Sequence, residues 1–467
     1  MTTGERLASF VAASSLDEMP GEVVEAAKLH VLDTLGCGLA AQGLGEASYA
    51  ASAAQETATS GPATAIGVTH GLPAVEAAMV NGILCHALDF DDTHPGSVVH
   101  VSAGVVPAAL AAGEIQAARG GDVLAAIVAG NETSIRLGMA AGGAFHARGF
   151  HPTSVCGVFG ATAAAARLRG LDAQTTASAL GIAGSMASGV LEFLADGSDT
   201  KRLHPGWAAH AGLMAVRLAA HGATGPVSIL EGDRGFYRTH LPGVDVDIAA
   251  RVEDLGERWL TPEIAFKPYP ACHYVTAPID ALAQVLHEVP LSADDVAQIV
   301  AFTDVTGEKL VLDPPEDKVR PRSAYDAKFS LPYCLAYLLV RGQVDVASFT
   351  DAAIGDPDVL AVTPRVTYEV KEYASAPDAF SGGVRVLTRD GQALEAEFRY
   401  QRGSAENPLS AADVQAKYRA NAMLALSAST AAELETAILH LEDEPDLSAL
   451  AALRNARARE ATAVASG

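Results

Sequence analysis

Residues 81–104, NGILCHALDFDDTHPGSVVHVSAG, place Asp89, Asp91, Asp92, Thr93, His94 and His100 directly after an almost chargeless apolar run. Carboxylates and imidazoles at this density can move protons near neutral pH or ligate a divalent cation. Between Gly71 and Leu88 the only formal charge is Glu76, which predicts a helix buried on most of its circumference. Three carboxylates at the end of such a helix face the negative pole of its dipole. A local rule broken this sharply often marks a site. If the helix persists for one more turn, Asp89 and Thr93 share a face, as do His86 and Asp89.

Two other uses of the cluster stay open at this level. One is a polar, capped helix terminus. The other is a metal site built on Asp89, Asp91 and Asp92. Asp-rich helix ends also hold magnesium diphosphate in terpene cyclases, but those pockets are aromatic and only 6% of this chain is. A second acidic motif of the Asn/Ser/Glu kind is absent from the sequence.

Three further segments carry reactive side chains. In GFHPTSVCGVFGATAAAARLRG (149–170), His151 precedes Thr153 and Ser154, which suit helix N-caps, and Gly157, Gly160 and Ala161 then allow close approach. Neither a phosphate loop nor a dinucleotide fingerprint fits its glycine spacing. In LADGSDTKRLHPGWAAHAG, Lys201 and Arg202 stand ahead of a helix predicted to start near Gly206; a cation beside free helix amides is a carboxylate receptor. The plain alternative is an exposed basic loop paired with Asp196 and Asp199. Lys267, in IAFKPYPACHY, lies at a predicted domain junction, where ligand sites concentrate, although a snorkelling surface lysine also fits. His86, His204, His210 and His273 read as structural or supporting residues.

The elements that must position these groups are mostly helical. Ala-rich patterns such as GEVVEAAKLHVLDTLGCGLAA and VLAAIVAGNETSIRLG dominate residues 20 to about 260, favouring an all-helical domain over a doubly wound one. FKPYPACHY interrupts the helical pattern. Strand-like runs follow, with GVRVLT and ALEAEFRY joined at Arg389-Asp390-Gly391 as a hairpin. The expected organisation is mainly α: a helical domain over 1–266, a smaller α+β domain over 267–403, and helices over 404–467 returning to the first domain, the last 25 residues forming a helical tail.

Composition narrows the partners. At 467 residues the chain can bury a large core, and 49% hydrophobic residues mark it as globular. Its net charge of −24 repels nucleic acid and anionic membrane surfaces. An anionic substrate therefore needs local cations, which makes Lys201 and Lys267 informative. Five scattered cysteines without a Cys-x-x-Cys pair point to reduced, buried thiols. The apolar run Leu7–Ala13 is minimal for a signal peptide, so a soluble cytoplasmic protein is expected. Residues 173–191 lack charge but are Ala, Gly, Ser and Thr, which suits tight packing in a soluble bundle.

Taken together, HALDFDDTHPGSVVHVSAGVVPA, GFHPTSVCGVFGATAAAARLRGL, SDTKRLHPGWAAHAG, FKPYPACH, DAKFSLPY and GSAENPLSAADVQAKY resemble the MmgE/PrpD family, in the same order along nearly the whole chain. That family includes 2-methylcitrate dehydratases, cis-aconitate decarboxylases and iminodisuccinate epimerases. The resemblance implies a large helical domain with a smaller α+β lid, a homodimer, and no cofactor or metal. It carries pocket roles onto Asp89, Thr93, His100, His151, Lys201 and Lys267. The stretch HPGSVV between Thr93 and His100 departs from the family pattern by one added residue. For a tyrosine that the lid contributes in some relatives, Tyr325 is the candidate.

The shared chemistry is proton movement at carbon beside a carboxylate. Lys201 and Lys267 would neutralise substrate carboxylates, Thr93 would hydrogen-bond one, and His151 and His100 would move the proton, with Asp89 orienting one imidazole. The resulting expectation is a cofactor-free lyase of a small di- or tricarboxylate. Dehydration of 2-methylcitrate or a similar hydroxy-tricarboxylate is the first choice, with cis-aconitate decarboxylation or iminodisuccinate-type epimerisation as alternatives.

Overall fold

Helices whose contact faces are alanine and glycine can pack nearly backbone to backbone, and this governs the larger part of the molecule. The computed structural model describes residues 1–57, 60–373 and 379–458. The chain divides into two compact units, Met1–Ile264 with Ser410–Gly467, and Ala265–Leu409.

The first unit is helical. Its core contains the helices Gly21–Gly43, Ala74–His86, Ser102–Gln116, Gly120–Ala141, Gly157–Leu168 and Thr200–Ala220, joined by Ala411–Ala422 and Ala428–Leu439 from the end of the chain. The Ala74–His86 and Thr200–Ala220 helices cross at glycines. A Cβ on Gly82 would stand 2.7 Å from the Gly206 Cα, and one on Gly206 would stand 2.6 Å from Ile83 Cγ1. Only glycine at both positions allows this approach, and it brings the end of one helix, His86, towards the start of the other, which carries Lys201 and His204.

Two expectations change here. The apolar helix ends at His86, with Ala87 as C-cap, and does not continue through Thr93. The basic helix starts at Thr200, not near Gly206, so Lys201 and Arg202 lie in its first turn with Pro205 inside the helix. Within the expected C-terminal tail, Ser448–Asn455 is a 3-10 helix, and residues 459–467 lie outside the described residues.

The second unit is α+β. Strands β1 (Val296–Thr303), β2 (Val366–Val370), β3 (Gly382–Thr388) and β4 (Ala393–Phe398) form a sheet in the order β2-β1-β3-β4. β1 and β2 are parallel, while β1–β3 and β3–β4 are antiparallel. The β3–β4 hairpin turns at Asp390-Gly391, where Gly391 takes φ +91° as such turns require. Helices Thr276–Glu288 and Leu331–Arg341 share a core with the sheet through Ile279, Leu282, Tyr333, Ile299 and Val386. The protein is therefore mainly α with a smaller α+β portion. Among the described residues no helix is long and apolar enough to cross a membrane.

Candidate active site

The segment Leu88–His100 leaves the Ala74–His86 helix through a sharp change of direction. Asp89 adopts φ +53° and Val98 φ +55°. Such values cost about 1–3 kcal/mol for non-glycine residues and are held only where the surroundings over-determine them. The return is closed by a bridge between His94 and Val99 and by Val98 N–H donating to the His94 carbonyl at 2.9 Å. The motif is thus a folded loop, and its three aspartates point to three different partners.

Asp92 is committed to the scaffold. Its Oδ2 lies 2.8 Å from His30 Nδ1, and its Oδ1 accepts from the Ser102 amide at the start of the Ser102–Gln116 helix, a favourable place for a carboxylate. Asp89 Oδ1 accepts from Lys201 Nζ at 3.0 Å, with both side chains buried. Asp91 serves the imidazoles. Its Oδ2 lies 2.7 Å from His86 Nδ1 and 3.4 Å from His100 Nδ1.

His100 is held from two sides. Its Nδ1 is 3.1 Å from Thr93 Oγ1, and its amide donates to Thr153 Oγ1 at 3.0 Å. His151, the residue before the short helix Pro152–Val155, donates its amide to the Gly189 carbonyl and sets its Nδ1 2.9 Å from His204 Nδ1. The rings of His86 and His100 are 4.7 Å apart between centroids, His86 and His151 5.7 Å, and His100 and His151 6.1 Å. His204 also lines an open cavity of about 650 Å³ with Gly189, Glu192, Asp196 and Trp207.

The C-terminal helices hold this loop in place. Lys417 Nζ donates to the Phe90 carbonyl at 2.8 Å and pairs with buried Asp33 at 2.7 Å. Its ammonium also stands 3.8 Å from the centroid of the Phe90 ring, a cation–π contact.

Electrostatics separate the imidazoles into two kinds. Burial works against an ionised Asp91, but the imidazoles of His86 and His100 outweigh it and hold its carboxyl well below the usual range. Asp91 is therefore an anion able to stabilise a proton on a neighbouring ring. His151 is the opposite case. Burial, and then the charges of His204, His86 and Lys201, push it well below the usual imidazole range. Burial also takes His204 down to about 4. One carboxylate-backed imidazole pair thus faces a neutral one, a division suited to acid and base roles.

Of the residues singled out in the sequence, Asp89, Thr93, His100, His151 and Lys201 come together in the first unit. Lys267, 2% exposed, and Tyr325, 9% exposed, belong to the second unit. The Asp91 carboxylate contacts the rings of both His86 and His100, and Asp89 pairs with Lys201. Sequence reasoning left His86 and His204 aside. His204 carried a usable signal, since it lies three residues after Lys201 and shares its helix face. Donor atoms for a cation come from two sets, His86–His100–His151 and Asp89–Asp91–His100, each within 4.8 Å. The trio Asp89–Asp91–Asp92 does not form one, because Asp92 is spent on His30 and Ser102.

Residues 5–249 match the MmgE/PrpD N-terminal domain and residues 269–443 the MmgE/PrpD C-terminal domain. The chain is 30% identical to the cis-aconitate decarboxylase of Homo sapiens over 96% of its own length and 94% of the relative's. It is 28% identical to the cis-aconitate decarboxylase-like protein oryM of Aspergillus oryzae, over 96% of both chains. To the cis-aconitate decarboxylase of Aspergillus terreus it is 28% identical over 94% of this chain and 93% of the other.

Proposed function

The chain belongs to the MmgE/PrpD family, and on that premise we propose that it is a lyase of a small tricarboxylate, with decarboxylation of cis-aconitate as its reaction. The observation carrying the reading is the Asp91-backed His86–His100 pair set against neutral His151 and beside the Lys201–Asp89 pair. The names of the relatives favour cis-aconitate over 2-methylcitrate, the first choice from sequence.

Lys201 and Thr93 bind substrate carboxylates. As the carbon–carboxylate bond breaks, its electron pair forms a new carbon–carbon double bond and carbon dioxide leaves. The far carbon of the original double bond takes a proton from His100, whose imidazolium Asp91 stabilises. His151, neutral and oriented by His204, accepts hydrogen bonds from the substrate side and suits the base role that a dehydration needs. Side chains alone carry this chemistry, without metal or cofactor, in a protein we take to be a cytoplasmic homodimer.

Proton NMR of EDTA-treated protein in heavy water, with cis-aconitate, 2-methylcitrate and iminodisuccinate present together, tests the reading. Loss of cis-aconitate with appearance of deuterated itaconate is the expected result. Consumption of 2-methylcitrate instead moves the assignment to dehydration, and three unchanged substrates sink it.

A further inference from the structure

We infer that the imidazoles of His86, His100 and His151 form a binding site for a first-row transition cation, best suited to Zn²⁺, and that the bound cation blocks proton transfer at the same rings. A ring nitrogen of each lies within 4.8 Å of those of the other two. In all three rings Nδ1 is already engaged: with Asp91 for His86, with Thr93 and Asp91 for His100, and with His204 for His151. Second partners on one nitrogen fix each ring's orientation and make Nε2 the ligand atom, as in carboxylate–histidine–zinc arrangements.

His86 gives the independent sign. Its ring is fully buried, its Nδ1 faces the Asp91 carboxylate, and its Nε2 has no hydrogen-bond partner among the described residues. A neutral imidazole donating from Nδ1 to Asp91 carries a lone pair on Nε2, so what that atom lacks is an acceptor of electrons. Asp91 Oδ1 is likewise buried and unpartnered among the described residues. Three nitrogen donors select zinc-like cations over magnesium or calcium, which prefer oxygen. Tetrahedral Zn–N bonds of about 2.0 Å ask for nitrogens about 3.3 Å apart, so a bound cation would draw the three rings together from a spacing of up to 4.8 Å. The bound cation would occupy the Nε2 lone pairs that a proton needs. Inhibition rests on the proposed role of His100 and His151; binding does not.

The test is calorimetric titration of EDTA-treated, full-length protein with zinc chloride, beside His86→Ala, His100→Ala and Asp91→Asn. One equivalent is expected per chain. The histidine variants should bind at least tenfold more weakly, and Asp91→Asn about 10- to 100-fold more weakly through its loss as the outer partner. Asp91→Asn keeps the test open if a histidine variant fails to fold. No stoichiometric binding, or binding indifferent to these substitutions, overturns the site. Turnover is then assayed with zinc and after its removal by EDTA. Reversible inhibition supports the competition. Binding without inhibition overturns it, together with the assignment of these rings to proton transfer, and leaves the cation site standing.

Discussion

His151 and His204 meet Nδ1 to Nδ1 at 2.9 Å, so one ring donates and the other accepts, and the pair cannot hold two positive charges. This contact occupies His151 Nδ1 and orients the ring, which leaves Nε2 for the proposed proton transfer. His204→Ala should therefore lower kcat about tenfold or more while KM changes little, because ring orientation is lost and carboxylate binding is not. Steady-state kinetics check this, with added imidazole partly restoring kcat. A changed KM at constant kcat would move His204 out of the positioning role.

Acid should destabilise the protein through the same pair. Both imidazoles have folded-state values below the unfolded 6.5, with His204 at about 4. A group that resists protonation only when folded contributes its stability above the unfolded value. That contribution is lost as pH falls from about 6.5 towards 4, because the unfolded chain then binds more protons. Melting temperature should drop across this window, and drop less in His204→Gln. Parallel pH profiles for the two proteins would rule the pair out as the source.

Asp91→Asn should reduce turnover by two or more orders of magnitude, since an amide cannot stabilise the imidazolium. His151→Ala should cost at least about 100-fold. Single-turnover measurements separate these losses from substrate binding. Near-normal rates in either variant would remove that residue from the mechanism.

Lys201→Ala leaves Asp89 buried and without the Lys201 ammonium, which typically costs about 3–5 kcal/mol, and should raise KM at least about tenfold. Adding Asp89→Asn to Lys201→Met should recover much of the stability but none of the affinity. Urea melts and kinetics on the three variants together distinguish a receptor from a merely structural pair.

Lys417 joins the C-terminal helices to the reactive loop through Asp33 and the Phe90 carbonyl. Lys417→Met should destabilise the protein by about 3 kcal/mol, from an uncompensated buried carboxyl. Lys417→Met with Asp33→Asn should melt near the parent temperature yet retain reduced kcat, because the loop loses its tether to Phe90. Full activity in that double variant would show that the tether is dispensable.

Much of the protein was legible in the sequence. Helical periodicity and small residues marked the first unit, alternating runs around Asp390-Gly391 marked the hairpin, and ordered motifs marked the family and the residues Asp89, Thr93, His100, His151 and Lys201. The pairing among those residues was decided only in three dimensions. Once the helix ends at His86, the side-chain directions of Asp89, Asp91 and Asp92 follow from loop dihedrals, including the left-handed Asp89, and no helical period encodes them. The Gly82–Gly206 crossing places residues more than a hundred positions apart side by side. Residue types record what chemistry is available, whereas which carboxylate charges which imidazole depends on distances of a few ångströms that arise only when the helices pack.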